Sequence, residues 1–170
     1  MITDARTAIR VTLIRHGLAG DGAPSDEERA LTAKGRQATR RVARALDGRD
    51  IRFDCIVSSP LVRAVQTAEI IAAGTHFRGA ILVHRALAPD APPAGVVALL
   101  RDLAPARRVA LVAHEPILSS LGGLLVGQGR LPPLAKSEAL RVRLPDGPGK
   151  PGAIRWHIDP DGRMHRKGGG

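Results

Sequence analysis

Ile9-Arg10-Val11-Thr12-Leu13-Ile14-Arg15-His16-Gly17 is a largely apolar, alternating run that ends in a glycine. That pattern predicts a strand followed by a turn. The strand delivers a guanidinium and an imidazole side by side to the edge of a sheet, which is where open α/β sheets bind their ligands. An arginine beside a histidine suits one task in particular, holding a phosphoryl group while the imidazole attacks it.

Working outward, short extended runs alternate with helical stretches, which predicts an α/β domain with a mostly parallel central sheet flanked by helices. The first strand covers residues 9–15, and a Gly- and Pro-containing loop follows at residues 20–25. Thr32 reads as an N-cap, and Ala38, Val42 and Leu46 form a stripe at four-residue spacing. A second strand is expected at 51–58, with Ser59 as N-cap and Pro60 at the first position of the next helix. Leu61, Ala64, Val65, Ala68, Ile71 and Ala72 mark that helix's buried face. Residues 80–83 read as a third strand, the Pro-rich residues 88–93 as a loop, and Val96 to Leu103 as a third helix. The apolar centre of 108–113 suits a strand buried on both faces, with His114 at its end and Pro116 opening a fourth helix. Two last strands are expected at 139–144 and 153–158. The reading is one domain over 1–170, with its core at about 8–160 and a frayed tail at 161–170.

Composition sets outer limits. The chain has 170 residues, of which 44% are hydrophobic and 25% charged, as in ordinary globular proteins. It has no apolar run long enough for a bilayer and no signal-peptide pattern at its start, so no membrane partner is expected. Cys55 is the single cysteine and lies in an apolar run; a buried, reduced thiol and a cytoplasmic location are the expectation. The net charge of +10 raises nucleic-acid binding as an alternative. Against it, the cations are mostly arginines scattered along helical stretches (Arg36, Arg40, Arg41, Arg44), aromatics are 2%, and tyrosine is absent. Nucleic acid is therefore not expected as the primary partner, whereas anionic substrates or acidic proteins suit the charge.

Parallel strands place their C-terminal ends on one edge, so residues far apart in sequence converge there. The first strand ends in Arg15-His16, the second in Ser58-Ser59 with Arg63 shortly after, and the fourth in His114-Glu115. Two arginines and two histidines around one point make a pocket for a dianion, aided by helix N-termini opening at Ser59 and Glu115. A neutral histidine there is a competent nucleophile toward phosphorus. There is no zinc-spaced cluster and no Walker-type loop, so neither metal nor cofactor is expected. His76, His84, His157 and His165 read as surface or structural, and Trp156 as a core or interface anchor.

The segments LIRHG (13–17), LTAKG (31–35), VSSPLVRAVQTAEII (57–71) and LVAHEP (111–116) resemble the histidine phosphatase, or phosphoglycerate-mutase-like, superfamily. Short length and the form RHGxA, with Leu18 and Ala19, are most similar to its small SixA-type phosphohistidine phosphatases. The resemblance implies that His16 is the phosphorylated nucleophile and that Arg15, Arg63 and His114 complete the phosphate pocket.

Ester phosphatases of that family carry an acid after the third strand. Here Asp90 is the only carboxylate in the segment 85–90, with Asp21 and Glu115 as weaker options. An alkoxide leaving group needs a proton donor, whereas a protonated phosphoramidate leaves as neutral imidazole. The expected function is thus a metal-independent phosphatase acting through a phosphohistidine intermediate, with phosphohistidine on a protein as substrate. The alternative is a small phosphorylated metabolite, such as a sugar phosphate or nucleotide-related ester.

Overall fold

Alternation along the first strand is matched by burial on both of its faces in the computed structural model, which describes residues 8–167. The elements, in chain order, are β1 (Ile9–Arg15), α1 (Ala33–Asp47), β2 (Cys55–Ser58), α2 (Val62–Gly74) and β3 (Leu82–Val83). After a 3-10 turn at Arg85–Leu87 come α3 (Pro93–Asp102), β4 (Arg108–Ala113), α4 (Ile117–Leu125), β5 (Ala139–Leu144), β6 (Ala153–Ile158) and β7 (Met164–Arg166). They form one seven-stranded sheet in the order β3-β2-β4-β1-β5-β6-β7. Neighbours from β3 to β1 are parallel, and those from β1 to β7 antiparallel. The parallel half holds the segments singled out above; the antiparallel half extends the sheet.

Each face of the sheet covers its own core. Val11, Leu13, Val109 and Leu111 pack beneath α3 and α4 with Leu99, Leu100, Leu118 and Leu121. Ile14, Ala110 and Val112 point the other way, toward Val42 and Leu46 of α1 and Ala64, Ala68 and Ile71 of α2. A strand with apolar residues at both parities is stable only when helices cover both faces, which is why β1 and β4 occupy the middle.

Several boundaries differ from expectation. The second strand is limited to Cys55–Ser58; just before it, Asp54 bonds the Arg108 carbonyl through its amide at 2.8 Å, and its Oδ2 accepts from the Arg107 and Arg108 amides at 3.0 and 2.8 Å. The third strand is only Leu82–Val83, an exposed edge. Ser59 does not cap α2. Its amide continues the sheet to the Val112 carbonyl at 2.9 Å, and the helix starts at Val62 with Leu61 at the cap. The expected tail is partly ordered, since Met164–Arg166 pair with β6; residues 168–170 lie outside the described residues. Thr32 caps α1 as expected, accepting from the Gly35 amide at 3.0 Å. Cys55 is half-buried rather than buried, with burial and Asp54 raising its thiol pKa. No helix among the described residues is long and apolar enough to cross a membrane.

Candidate active site

Strand order decides which side chains meet. β2, β4 and β1 are consecutive in the sheet, and Arg15 pairs with Ala113 in register. His16 then bonds through its amide to the Ala113 carbonyl at 3.0 Å, one residue before His114. The two imidazoles lie with ring centroids 5.0 Å apart and planes tilted by 52°. Ser59, just past the end of β2, reaches His114 Nε2 through its hydroxyl at 2.7 Å.

His16 is 7% exposed, and its Nδ1 donates to the Gly17 carbonyl at 2.7 Å. That bond places the ring proton on Nδ1 and leaves the Nε2 lone pair available. Burial, with Arg63, Arg15 and Lys136 nearby, lowers its pKa to about 4, against the pull of the Gly17 bond. The same burial, with His16 and Arg63 alongside, lowers the pKa of His114 to about 3. Both rings are therefore neutral at pH 7, which is the form in which an imidazole is nucleophilic.

Close packing holds the loop after β1. The Gly17 amide donates to Thr67 Oγ1 at 3.0 Å, and Thr67 bonds back to the Arg63 carbonyl at 2.7 Å. A Cβ at Gly17 would stand 2.9 Å from Thr39 Oγ1, so glycine is required where α1 crosses the turn. Arg15 Nη1 donates to the Leu134 carbonyl at 2.7 Å. Its Nε, like His114 Nδ1, is buried without a hydrogen-bond partner among the described residues. A buried N–H donor without an acceptor is costly, and Arg15 Nε, joined by His114 Nδ1 in the tautomer whose Nε2 accepts from Ser59, suits an oxyanion.

Arg15, His16 and His114 thus gather at one edge, with Arg63, 6% exposed, in the charge environment of both imidazoles. The expected helix N-termini do not begin at Ser59 and Glu115, since α2 and α4 open at Val62 and Ile117. Glu115 is engaged structurally: Oε1 accepts from the Leu134 amide at 2.9 Å, and Oε2 from the Ser119 hydroxyl at 2.6 Å. Asp21 is almost fully exposed and paired with Arg29 at 3.1 Å. Asp90 lines a recess of about 370 Å³ with Asp26, Glu27, Pro60, Leu61 and Arg85.

Two participants escaped the sequence reading. Asp26 accepts from both terminal nitrogens of Arg63, through its carbonyl at 2.7 Å and Oδ2 at 3.0 Å. Nothing in the polar loop 20–29 distinguishes that aspartate from its neighbours. The segment 134–138 is the other: its carbonyls at Leu134 and Glu138 accept from the Arg15 side chain and amide. The remaining histidines stand elsewhere. His76 faces Asp47 at 3.4 Å, His84 caps the 3-10 turn, and His157 stacks on His165 at 4.6 Å.

The family model described as "Histidine phosphatase superfamily (branch 1)" matches residues 11–88, which contain the LIRHG strand end and the SSPLVR helix entry. Phosphohistidine phosphatase SixA of Escherichia coli (strain K12) is 29% identical over 161 residues, covering 89% of this chain and 94% of that protein. The solved structure of the protein histidine phosphatase SixA complexed with tungstate superposes with a TM-score of 0.83 at 27% identity, over 89% of this chain and 97% of the other. The family model, the alignment with SixA and the superposition all point to the histidine phosphatase superfamily as what this chain resembles. It is SixA-like in extent and fold, and a phosphatase by that relation. An uncharacterized protein of Picosynechococcus sp. is 40% identical over 111 residues. That match spans 61% of this chain and 65% of the other protein, just under two thirds of its length.

Proposed function

We propose that the protein is a phosphohistidine phosphatase in which His16 is the nucleophile and Arg15, Arg63 and His114 hold the phosphoryl group. The observation that carries this reading is the bond from His16 Nδ1 to the Gly17 carbonyl at 2.7 Å, which orients a neutral ring with its Nε2 lone pair free. That lone pair forms a new P–N bond as the P–N bond of the substrate, whose phosphohistidine ring is protonated on its other nitrogen, breaks and its electron pair leaves with a neutral imidazole. Water then attacks phosphorus, the bond to His16 breaks, and orthophosphate and neutral His16 result.

In this reading the neutral His114 ring accepts at Nε2 from the Ser59 hydroxyl 2.7 Å away, so its Nδ1–H is the donor to a phosphoryl oxygen. Arg15 Nε supplies a second donor. Charge developing on the equatorial oxygens is thereby met by groups already oriented and shielded from water.

Substrate choice rests on the proton donor. Glu115 is occupied by the Leu134 amide and the Ser119 hydroxyl, and Asp21 by Arg29 in solvent. A leaving group that departs neutral suits such a site better than an alkoxide. The likeness to SixA across nearly the whole of both chains supports the same choice. A cytoplasmic setting belongs to this proposal, since the free Cys55 thiol persists in a reducing compartment.

The test is turnover of a phosphohistidine-bearing protein beside a panel of sugar phosphates and nucleotide esters, with His16→Ala as the blank. Preference for phosphohistidine, lost in His16→Ala, is expected. Preference for an ester would make this a metabolite phosphatase, with Asp90 as the first acid to examine. Turnover surviving in His16→Ala would remove His16 as the nucleophile.

A further inference from the structure

The strand end opposite His16 carries charge that the chemistry above does not use. Arg10 pairs in register with Arg108 on one side and Arg143 on the other, so three arginines stand abreast across β4, β1 and β5. Like charges directly opposite each other across strands are destabilising. Arg108 is compensated by Asp54 at 2.6 Å. Among the described residues, no carboxylate makes an ion pair with Arg10, Arg141, Arg143, Arg155, Arg166 or Lys167. These six cations and Trp156 line a single cavity of about 610 Å³.

The inner wall of that cavity is built rather than incidental. Arg141 is only 6% exposed, its Nε donates to Thr12 Oγ1 at 2.7 Å, and its guanidinium lies 5.0 Å above the Trp156 ring. Its Nη2 is buried without a partner among the described residues. Burial, with Arg10 and Arg108 close by, lowers its pKa to about 10, so it stays charged at neutral pH. A buried cation with an unmade hydrogen bond and like charges around it is an unfavourable arrangement that a bound anion relieves.

We propose that this cavity is a second anion site, one that takes a ligand carrying a chain of two or more phosphoryl groups. Six converging cations exceed what one phosphate can contact, and the volume falls in the range of small-molecule sites. A nucleic-acid strand fits less well, because a single aromatic ring lines the cavity and Arg141 lies over one of its faces, which leaves no row of stacking platforms for successive bases. The site is separate from His16: Arg10 precedes Arg15 on β1 by about 16 Å of strand, and the cavity shares no residue with the phosphoryl pocket.

Trp156 is the only tryptophan in the chain, so intrinsic fluorescence reports this cavity directly. The full chain is titrated at low salt with sodium tripolyphosphate, ATP, orthophosphate and a short DNA duplex. The expected result is a saturable change with tripolyphosphate that weakens with added salt and is roughly tenfold tighter than with orthophosphate. It should weaken roughly tenfold in Arg10→Ala/Arg155→Ala, two exposed positions, and be unchanged in His16→Ala. Tighter binding of ATP than tripolyphosphate would identify a nucleotide as the source of the phosphoryl chain; the reverse would identify an inorganic chain. Absence of saturation, indifference to the double substitution, loss in His16→Ala, or stronger binding of duplex DNA would each overturn the proposal.

Discussion

Asp26 holds Arg63 from two directions, its carbonyl at 2.7 Å from Nη1 and its Oδ2 at 3.0 Å from Nη2. Arg29 bonds the other oxygen of the same carboxylate at 3.0 Å, and bonds to Arg29 and Arg63 lower the pKa of Asp26. A loop residue thus positions an arginine that reaches the site from α2. In Asp26→Ala the guanidinium keeps one tether, and kcat/KM should fall by about tenfold. Steady-state kinetics check this, and Asp26→Glu should recover part of the loss. Unchanged kinetics would show that Arg63 is oriented without the carboxylate.

Ser59 is expected to position His114 rather than touch the reacting atoms. In Ser59→Ala the buried Nε2 of His114 loses its 2.7 Å partner, which costs about 1–3 kcal/mol. Turnover should fall, and Ser59→Thr should restore it. Nitrogen chemical shifts of the imidazole give an independent readout, since the ring's tautomer changes only if the hydroxyl sets it.

The two buried imidazoles make stability depend on pH. Their folded pKa values, about 4 for His16 and about 3 for His114, lie below the ordinary 6.5. Above pH 6.5 neither state binds the protons, and these groups leave stability unaffected. As pH falls from 6.5 toward 4, the unfolded chain takes up protons that the folded one refuses, so stability drops by an amount on the order of a few kcal/mol. Thermal melts across pH 4–8 should show that slope, flattened in a His16→Asn/His114→Asn double variant. Activity should persist to lower pH than a histidine of ordinary pKa would allow, because His16 stays neutral.

Glu115 and Asp90 should separate cleanly. Removing the Glu115 carboxylate in Glu115→Ala leaves the Leu134 and Ser119 amides without their acceptor, costing about 2 kcal/mol and about 5 °C in Tm. The ratio of rates on alkyl and aryl phosphates should not change. In Asp90→Asn the melting temperature should hold, while any poor-leaving-group ester slows more than an activated aryl phosphate. Equal slowing of both substrates would exclude Asp90 as the acid.

The strands that matter were legible because their signal is local. Residues 9–15 and 108–113 were placed to the residue by their apolar runs, and Thr32 by its capping chemistry. Boundaries failed where a side chain or amide had a distant partner. Ser59 reads as an N-cap, yet its amide bonds Val112 and its hydroxyl His114. Met164–Arg166 reads as a tail because a three-residue edge strand takes its stability from β6 rather than from its own pattern.

The sequence by itself determined the α/β alternation, the strand ends that carry Arg15, His16 and His114, and the family resemblance that their motifs carry. Those depend on periodicity and on residue types within a few positions of one another. Tertiary structure alone decided that Asp26 grips Arg63, that Glu115 ties down Leu134, and that Arg10, Arg141 and Arg143 share a cavity with Trp156. Each of these depends on the way strands, helices and loops pack, which brings together residues from 19 to well over a hundred positions apart, and no local pattern encodes that distance.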